Sequence, residues 1–209
     1  MHVYFVRHGE TEENRRHVHQ SPNTPLSPRG VDGVRTTASM LRVVNPDLLI
    51  SSEYTRALES ARIIGQHVGL EPVTNGLFYE IVRPSSFYQK SIFSFKTLTF
   101  VFFSCMRRNN PSWRYEDAEN ATMIADRAQR ALAYLESLRG TRQSVVVVSH
   151  SVFINVMVAY MCRNTMLRIT DMLGTFLRIG KLKNGEVVHL EYVGNGAKGL
   201  CNWRIVQDK

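Results

Sequence analysis

Two histidines sit where two strands should end. His8 lies in Arg7-His8-Gly9-Glu10-Thr11, directly after the apolar run His2–Arg7, and His150 lies in Ser149-His150-Ser151, directly after Val145–Val148. In open α/β sheets, ligands bind beyond the carboxyl ends of the strands, so both imidazoles are expected at one mouth. Arg56 follows a third apolar run, Leu48–Ile50, at the start of a helical pattern, which brings it to the same mouth. This set of residue types suits phosphoryl transfer. The oxygens of the group carry negative charge throughout the reaction, and Arg7 and Arg56 would each meet them with a planar fork of donors that stays charged. A neutral imidazole can attack phosphorus and form a phosphohistidine, while a second imidazole donates to the equatorial oxygens. The residues themselves leave open which histidine attacks. An alkoxide leaves badly unless it is protonated, and the candidate acid is Glu80, whose apolar neighbours Leu77 and Phe78 would favour its protonated form. Each piece alone is ordinary: an Arg-His pair is more often structural, and a buried Glu more often a hydrogen-bonding residue. The weight comes from their shared placement.

The elements that must position these groups follow from local pattern. Ser27 caps a helix with Pro28 at its first position; Val31, Val34, Ala38 and Leu41 follow helical spacing until Asn45-Pro46 ends it. Ala57, Ala61, Ile64 and Val68 line one face of the next helix, which stops at Gly69. Ile124, Ala128, Ala131, Leu135 and Leu138 line a third, which stops at Gly140, and Val152–Met161 is apolar on most sides, as a buried helix is. Strands alternating with helices imply a three-layer α/β/α sandwich on a mostly parallel central sheet. The end of the chain differs. Phe176–Lys181 and Val187–Val193 flank Asn184-Gly185, a hairpin signal, and Cys201–Val206 adds a further strand; these are expected antiparallel at the sheet edge. Residues 84–116 hold six phenylalanines with neither period sustained, and are expected to cover the sheet edge or the site as a lid-like segment.

Composition narrows the partners. The chain has 209 residues, no internal repeat and no low-complexity linker, so one domain over 1–209 is expected. The formal charge of +8 favours anionic partners in general, but no run of Lys/Arg exceeds two residues, so nucleic acid is not the expected partner. No apolar run reaches membrane-spanning length, and no membrane partner is expected. Residues 1–7 do not read as a secretory leader, so secretion is not expected, and three widely spaced cysteines, Cys105, Cys162 and Cys201, suit reduced thiols in a cytoplasm, the expected location. His17-Val18-His19 reads as a solvated loop rather than a metal pair, and Trp113 and Trp203 read as packing residues. No carboxylate cluster suits magnesium. Oligomeric state is not written in these features.

Together the motifs resemble the histidine phosphatase (phosphoglycerate mutase-like) superfamily. The resemblance runs in order through Arg7-His8-Gly9-Glu10-Thr11 with Asn14, Leu26-Ser27-Pro28-Arg29-Gly30, Ser51–Ala61 around Arg56, and Val148-Ser149-His150, over about the first 160 residues. It implies that His8 is the nucleophile, that Arg7, Arg56 and His150 complete the phosphate pocket with Asn14 contributing, and that neither metal nor cofactor is needed. The implied activity is metal-independent hydrolysis of a small phosphorylated substrate. The alternatives are mutase-type phosphoryl transfer and a phosphate-binding regulatory protein without turnover. Hydrolysis is favoured because the mutase branch's longer chain and its Glu-Arg-x-Tyr-Gly block are missing. Two departures stand out. Ser151 replaces the usual glycine after the second histidine, adding a candidate donor to the substrate. Glu80-Ile81-Val82-Arg83-Pro84-Ser85-Ser86 resembles a Glu-x-x-Arg-Pro-Ser block of one branch, yet no glycine follows between Leu77 and Arg139. Arg83 and the pair Arg15-Arg16 are candidates for a second anionic group on the substrate, with a solvated basic rim as the equal alternative.

Overall fold

A computed structural model describes residues 1–107, 109–163, 182–194 and 202–206. Its elements run β1 (His2–Arg7), α1 (Glu12–Arg15), α2 (Pro28–Val44), β2 (Leu48–Ser51), α3 (Thr55–Val68), β3 (Val73–Thr74), α4 (Phe95–Met106), α5 (Ala121–Ser137), β4 (Ser144–Ser149), α6 (Ser151–Arg163), β5 (Val187–Tyr192) and β6 (Trp203–Val206). The six strands form one sheet in the order β3-β2-β4-β1-β5-β6. The first three pairings are parallel, and β5 joins β1, and β6 joins β5, antiparallel. This is the mostly parallel sheet with an antiparallel edge that the strand-helix alternation implies.

Pleating divides the core in two. Val145 and Val147 face one cluster with Val3, Phe5, Ala128 and Leu135; Val146 and Val148 face the other with Val34, Ala38, Ala61 and Ile64. The first face is covered by α5 and α6 and the second by α2 and α3, so β4 is buried on both sides and reads as an unbroken valine run rather than an alternating one.

Register places the histidines. Arg7 pairs with Ser149 at the ends of β1 and β4, and Ser51 pairs with Val148 at the end of β2. His8, His150 and Ser52 are therefore the next residues to leave three adjacent strands.

Three expectations need correcting or narrowing. Residues 95–106 form a helix, α4, capped by the Ser94 side chain on the Thr97 amide. Its period is hidden in the sequence because apolar residues lie on all its sides. His19 is not solvated: it is buried, and its Nε2 meets Thr97 Oγ1 at 2.9 Å, whereas His17 is exposed. The expected strand Phe176–Lys181 lies outside the described residues, as does Cys201. Asn184-Gly185 does form a turn, with Gly185 at φ 76°, but Asn184 also reaches the loop after β1.

Candidate active site

His8 is buried and gripped at both ring nitrogens. Nδ1 lies 2.7 Å from the Gly9 carbonyl, and Arg56 Nε donates to Nε2 at 3.2 Å. A carbonyl only accepts and a guanidinium only donates, so the proton sits on Nδ1 and the Nε2 lone pair faces the arginine. Burial, followed by the charges of Arg56 and Arg7, holds the His8 pKa well below the usual imidazole value, so the ring stays neutral.

The loop that carries His8 is clamped from behind. Gly9 N donates to Ser60 Oγ at 3.0 Å, and Asn184 Nδ2 donates to the His8 and Gly9 carbonyls at 3.1 Å each. A Cβ on Gly9 would lie 2.7 Å from the Gly30 carbonyl oxygen, and one on Gly30 would lie 2.0 Å from that of Glu10. The start of α2 can press against this loop only because both positions lack a side chain. Ser27 completes the seam: it caps α2 through Gly30 N at 3.0 Å, and its own amide donates to the Glu10 carbonyl at 2.8 Å.

His150 is fully buried, with its ring centroid 5.1 Å from that of His8. Nε2 meets Ser52 Oγ at 2.8 Å, and Nδ1 has no hydrogen-bond partner among the described residues. Burial is again the first cause of a pKa well below the ordinary value, with Arg56, His8 and Arg7 adding to it. Arg56, at the start of α3, is 2% exposed, donates through Nη1 to the Ser21 carbonyl at 2.8 Å, and has its pKa lowered by burial to about 10, which leaves it charged near neutrality. Arg7 donates through Nη1 to the Leu182 carbonyl, while its buried Nε has no partner among the described residues.

Glu80 occupies an unexpected role. Its Oε1 accepts from Phe153 N at 3.1 Å and from Ile81 N at 3.0 Å, and its Oε2 accepts from Val152 N at 3.4 Å. The residue before α6 is His150, whose ring is turned to Ser52 and cannot cap its own helix, so the carboxylate closes the first turn from 70 positions away along the chain. Beside the apolar neighbours expected from the sequence, the carboxylate thus meets amide donors. The segment holding Glu80 is itself anchored. Arg127 forks onto Glu119 at 2.7 and 2.9 Å and donates to the Tyr79 carbonyl at 2.8 Å; Glu119 accepts from Val82 N at 3.0 Å, and Ser149 Oγ donates to the Phe78 carbonyl at 2.7 Å. The Arg127–Glu119 pair is buried, with side chains 3% and 5% exposed.

A narrow cleft of about 40 Å³ opens between Tyr54, Arg56, Glu80, Arg83, His19 and Tyr88. Arg83 thus joins the same mouth. Asn14, in α1, does not line this cleft; it is tied to the loop after β1, its Oδ1 accepting from Asn184 Nδ2 at 3.1 Å and from Thr11 N at 3.3 Å. Ser151 is buried as the first residue of α6. Arg15 lies apart, exposed and paired with Glu12 at 3.0 Å. A roomier depression of about 380 Å³, lined by Met1, Arg139, Arg142 and Tyr192, sits at the opposite ends of β1 and β4, away from both histidines. Ser52, Ser60, Asn184, Glu119 and Arg127 were not singled out by sequence. The one local signal among them is Arg127, which falls on the apolar stripe of α5 between Ile124 and Ala131.

The sequence profile of the histidine phosphatase superfamily (branch 1) matches residues 3–200. The chain belongs to that superfamily. A probable phosphoglycerate mutase of Proteus mirabilis is 28% identical over 131 residues, 62% of this chain and 60% of that protein. The adenosylcobalamin/alpha-ribazole phosphatase of Escherichia coli is 24% identical over 170 residues, 76% of this chain and 78% of that one. The chain thus spans about 60% of the first of these relatives. A solved mycobacterial glucosyl-3-phosphoglycerate phosphatase superposes with a TM-score of 0.76 at 20% identity, over 98% of this chain and 96% of its own. Members of the superfamily of both kinds, phosphatase and mutase-like, are therefore among the proteins it resembles.

Proposed function

We propose that the chain is a phosphomonoesterase that passes a phosphoryl group from an ester to His8 Nε2 and then to water. The observation that carries this reading is the state of His8: neutral, protonated at Nδ1 by virtue of the Gly9 carbonyl, with Nε2 turned to the guanidinium of Arg56. The phosphate would take the place that Nε2 and Arg56 Nε now share, with Arg56 swinging to its equatorial oxygens. Arg7 Nε and His150 Nδ1, both buried without partners among the described residues, would supply further donors. In the first step Nε2 bonds to phosphorus as the ester P–O bond breaks, and Glu80 gives its proton to the departing oxygen. In the second, water attacks phosphorus, Glu80 takes the water's proton, and the N–P bond breaks to release inorganic phosphate.

Arg83 borders the cleft and supports a substrate with polar or anionic character beyond its phosphate. The relatives' names fit that chemistry: phosphorylated sugar acids and nucleoside-like phosphates. Mutase-type transfer is the second reading, favoured by the Proteus relative. The test is turnover of an aryl phosphate with a chelator present, together with rapid-quench trapping of an acid-labile phosphoenzyme. Label on the wild type and none on His8→Ala supports the reading. Turnover that survives in His8→Ala overturns it. Label that passes to an added hydroxy acid instead of to water selects the mutase reading.

A further inference from the structure

The outward face of α4 is apolar. Phe95, Leu98, Phe102 and Met106, at helical positions i, i+3, i+7 and i+11, are 57% to 80% exposed, and Phe93 in the turn before the helix is 72% exposed. No described element covers this stripe. The opposite side of the helix is the one that holds it to the protein: Phe100 packs edge-on against Phe87 and Tyr115, and Thr97 meets His19. Large apolar side chains set in a row toward solvent mark an interaction surface.

Along the sequence, the segment that carries this stripe has charge of one sign. From Ile81 to Tyr115 the sequence carries six cations, Arg83, Lys90, Lys96, Arg107, Arg108 and Arg114, and no Asp or Glu. Lys96 and Arg107 lie three turns apart on one flank of the apolar stripe, both exposed. The first carboxylates that follow, Glu116 and Asp117, are engaged by Ser86 and Ser85. The helix has 12 residues, too short to cross a bilayer.

We infer that α4 and the turn before it form a docking surface for an anionic lipid bilayer, with the aromatic stripe set among the headgroups and the flanking cations on their phosphates and carboxylates. Phenylalanine-rich apolar faces bordered by Lys and Arg are the pattern of helices that lie in the membrane interface. A second copy of the chain fits less well. Two-fold pairing on this stripe would set Lys96 and Arg107 against their own duplicates, with no carboxylate of the segment to offset them. Lipid supplies the opposite charge. The inference does not depend on the catalytic reading, because the stripe and its flank include none of the phosphate-pocket residues.

The experiment is flotation of the full chain with phosphatidylcholine vesicles, with and without phosphatidylserine, at low and high salt. The chain should float with the phosphatidylserine vesicles at low salt and be largely released at high salt. Phe95→Ser with Phe102→Ser should reduce binding tenfold or more, since each ring removed forfeits its burial in the interface. Lys96→Glu with Arg107→Glu should abolish the preference for phosphatidylserine while leaving the stripe intact. Aryl phosphate turnover and melting temperature should be those of the wild type in both variants. Failure of the wild type to float overturns the inference, and so does flotation that neither double variant reduces. A wild-type dimer in sedimentation equilibrium that Phe95→Ser with Phe102→Ser disperses, without flotation, assigns the stripe to a second copy instead.

Discussion

The contacts that aim His8 also fix its protonation. An imidazolium has no lone pair to attack with, and this ring is kept from charging first by burial and then by Arg56 and Arg7. Because the pKa is lowered, the neutral form persists as pH falls through 6.5, and the acid-side loss of kcat/KM on the free enzyme should lie well below that value. Nitrogen-detected NMR of the histidines should show His8 as the Nδ1–H tautomer from neutral pH down through 6. In Arg56→Met, which removes the larger charge, its titration should move up toward 6.5. A His8 that is already half protonated near 6.5 in the wild type contradicts this reading. Glu80 calls for a different separation, since it both caps α6 and is the candidate acid. Glu80→Gln keeps one acceptor oxygen, enough for the Ile81 and Phe153 amides that share Oε1, and gives up only the longer Val152 contact, but it has no acidic proton to give. It should melt close to the wild type while kcat on an alkyl phosphate falls about 10²- to 10⁴-fold, with a smaller loss on an aryl phosphate, whose oxygen leaves unaided. Glu80→Ala should add a stability loss of about 1 kcal/mol from the uncapped helix. Equal activity losses on both esters in Glu80→Gln would place the acid elsewhere.

At the scale of elements, the position of Glu80, and with it the proposed proton transfer, depends on how the Leu77–Val82 segment is tied to α5. The buried Arg127–Glu119 pair makes that tie, through the Tyr79 carbonyl on one side and the Val82 amide on the other. Arg127→Met strands a buried carboxylate and should cost about 3–5 kcal/mol, whereas Arg127→Met combined with Glu119→Leu removes both charges and should recover much of it. Denaturant unfolding of the four proteins of this cycle checks the prediction. Should the double variant recover its stability, its kcat should still be reduced, because the Tyr79 and Val82 backbone has lost its anchor. This tie shows what was readable in advance. Arg7, His8, Arg56 and His150 could be picked out because each follows or opens a locally patterned element, so position relative to a strand end is written in adjacent residues. Glu119, Ser60 and Asn184 could not, because the backbone groups they hold, at Val82, Gly9 and His8, lie 37, 51 and 176 residues away and meet them only through tertiary packing. Phe95–Met106 was hidden for the opposite reason: a helix apolar on its outer as well as its inner side has no period to detect.

Across the whole molecule, three histidines are buried uncharged: His8 and His150 at the carboxyl ends of β1 and β4, and His19 against Thr97 of α4. Burial lowers all three, His19 to about 4. In the unfolded chain each titrates near 6.5. Below that pH the unfolded chain takes up protons that the native state refuses, so stability falls as pH falls. The loss starts at about 6.5 and continues down to the native values, at up to about 1.4 kcal/mol per pH unit for each group. This sign is opposite to that of a histidine gaining a carboxylate partner, and it arises first from burial and then from the neighbouring arginines. Two consequences can be measured together. The melting temperature should drop between pH 7 and pH 5 more steeply than carboxylate titration alone would give, and His19→Gln, which keeps a partner for Thr97 but does not titrate, should make the slope shallower. Saturating phosphate should raise the melting temperature if the arginines and histidines close on it. If stability is flat from pH 7 to pH 5, at least the two site histidines must already share charge in the native state, and the neutral nucleophile on which the chemistry rests would be lost with it.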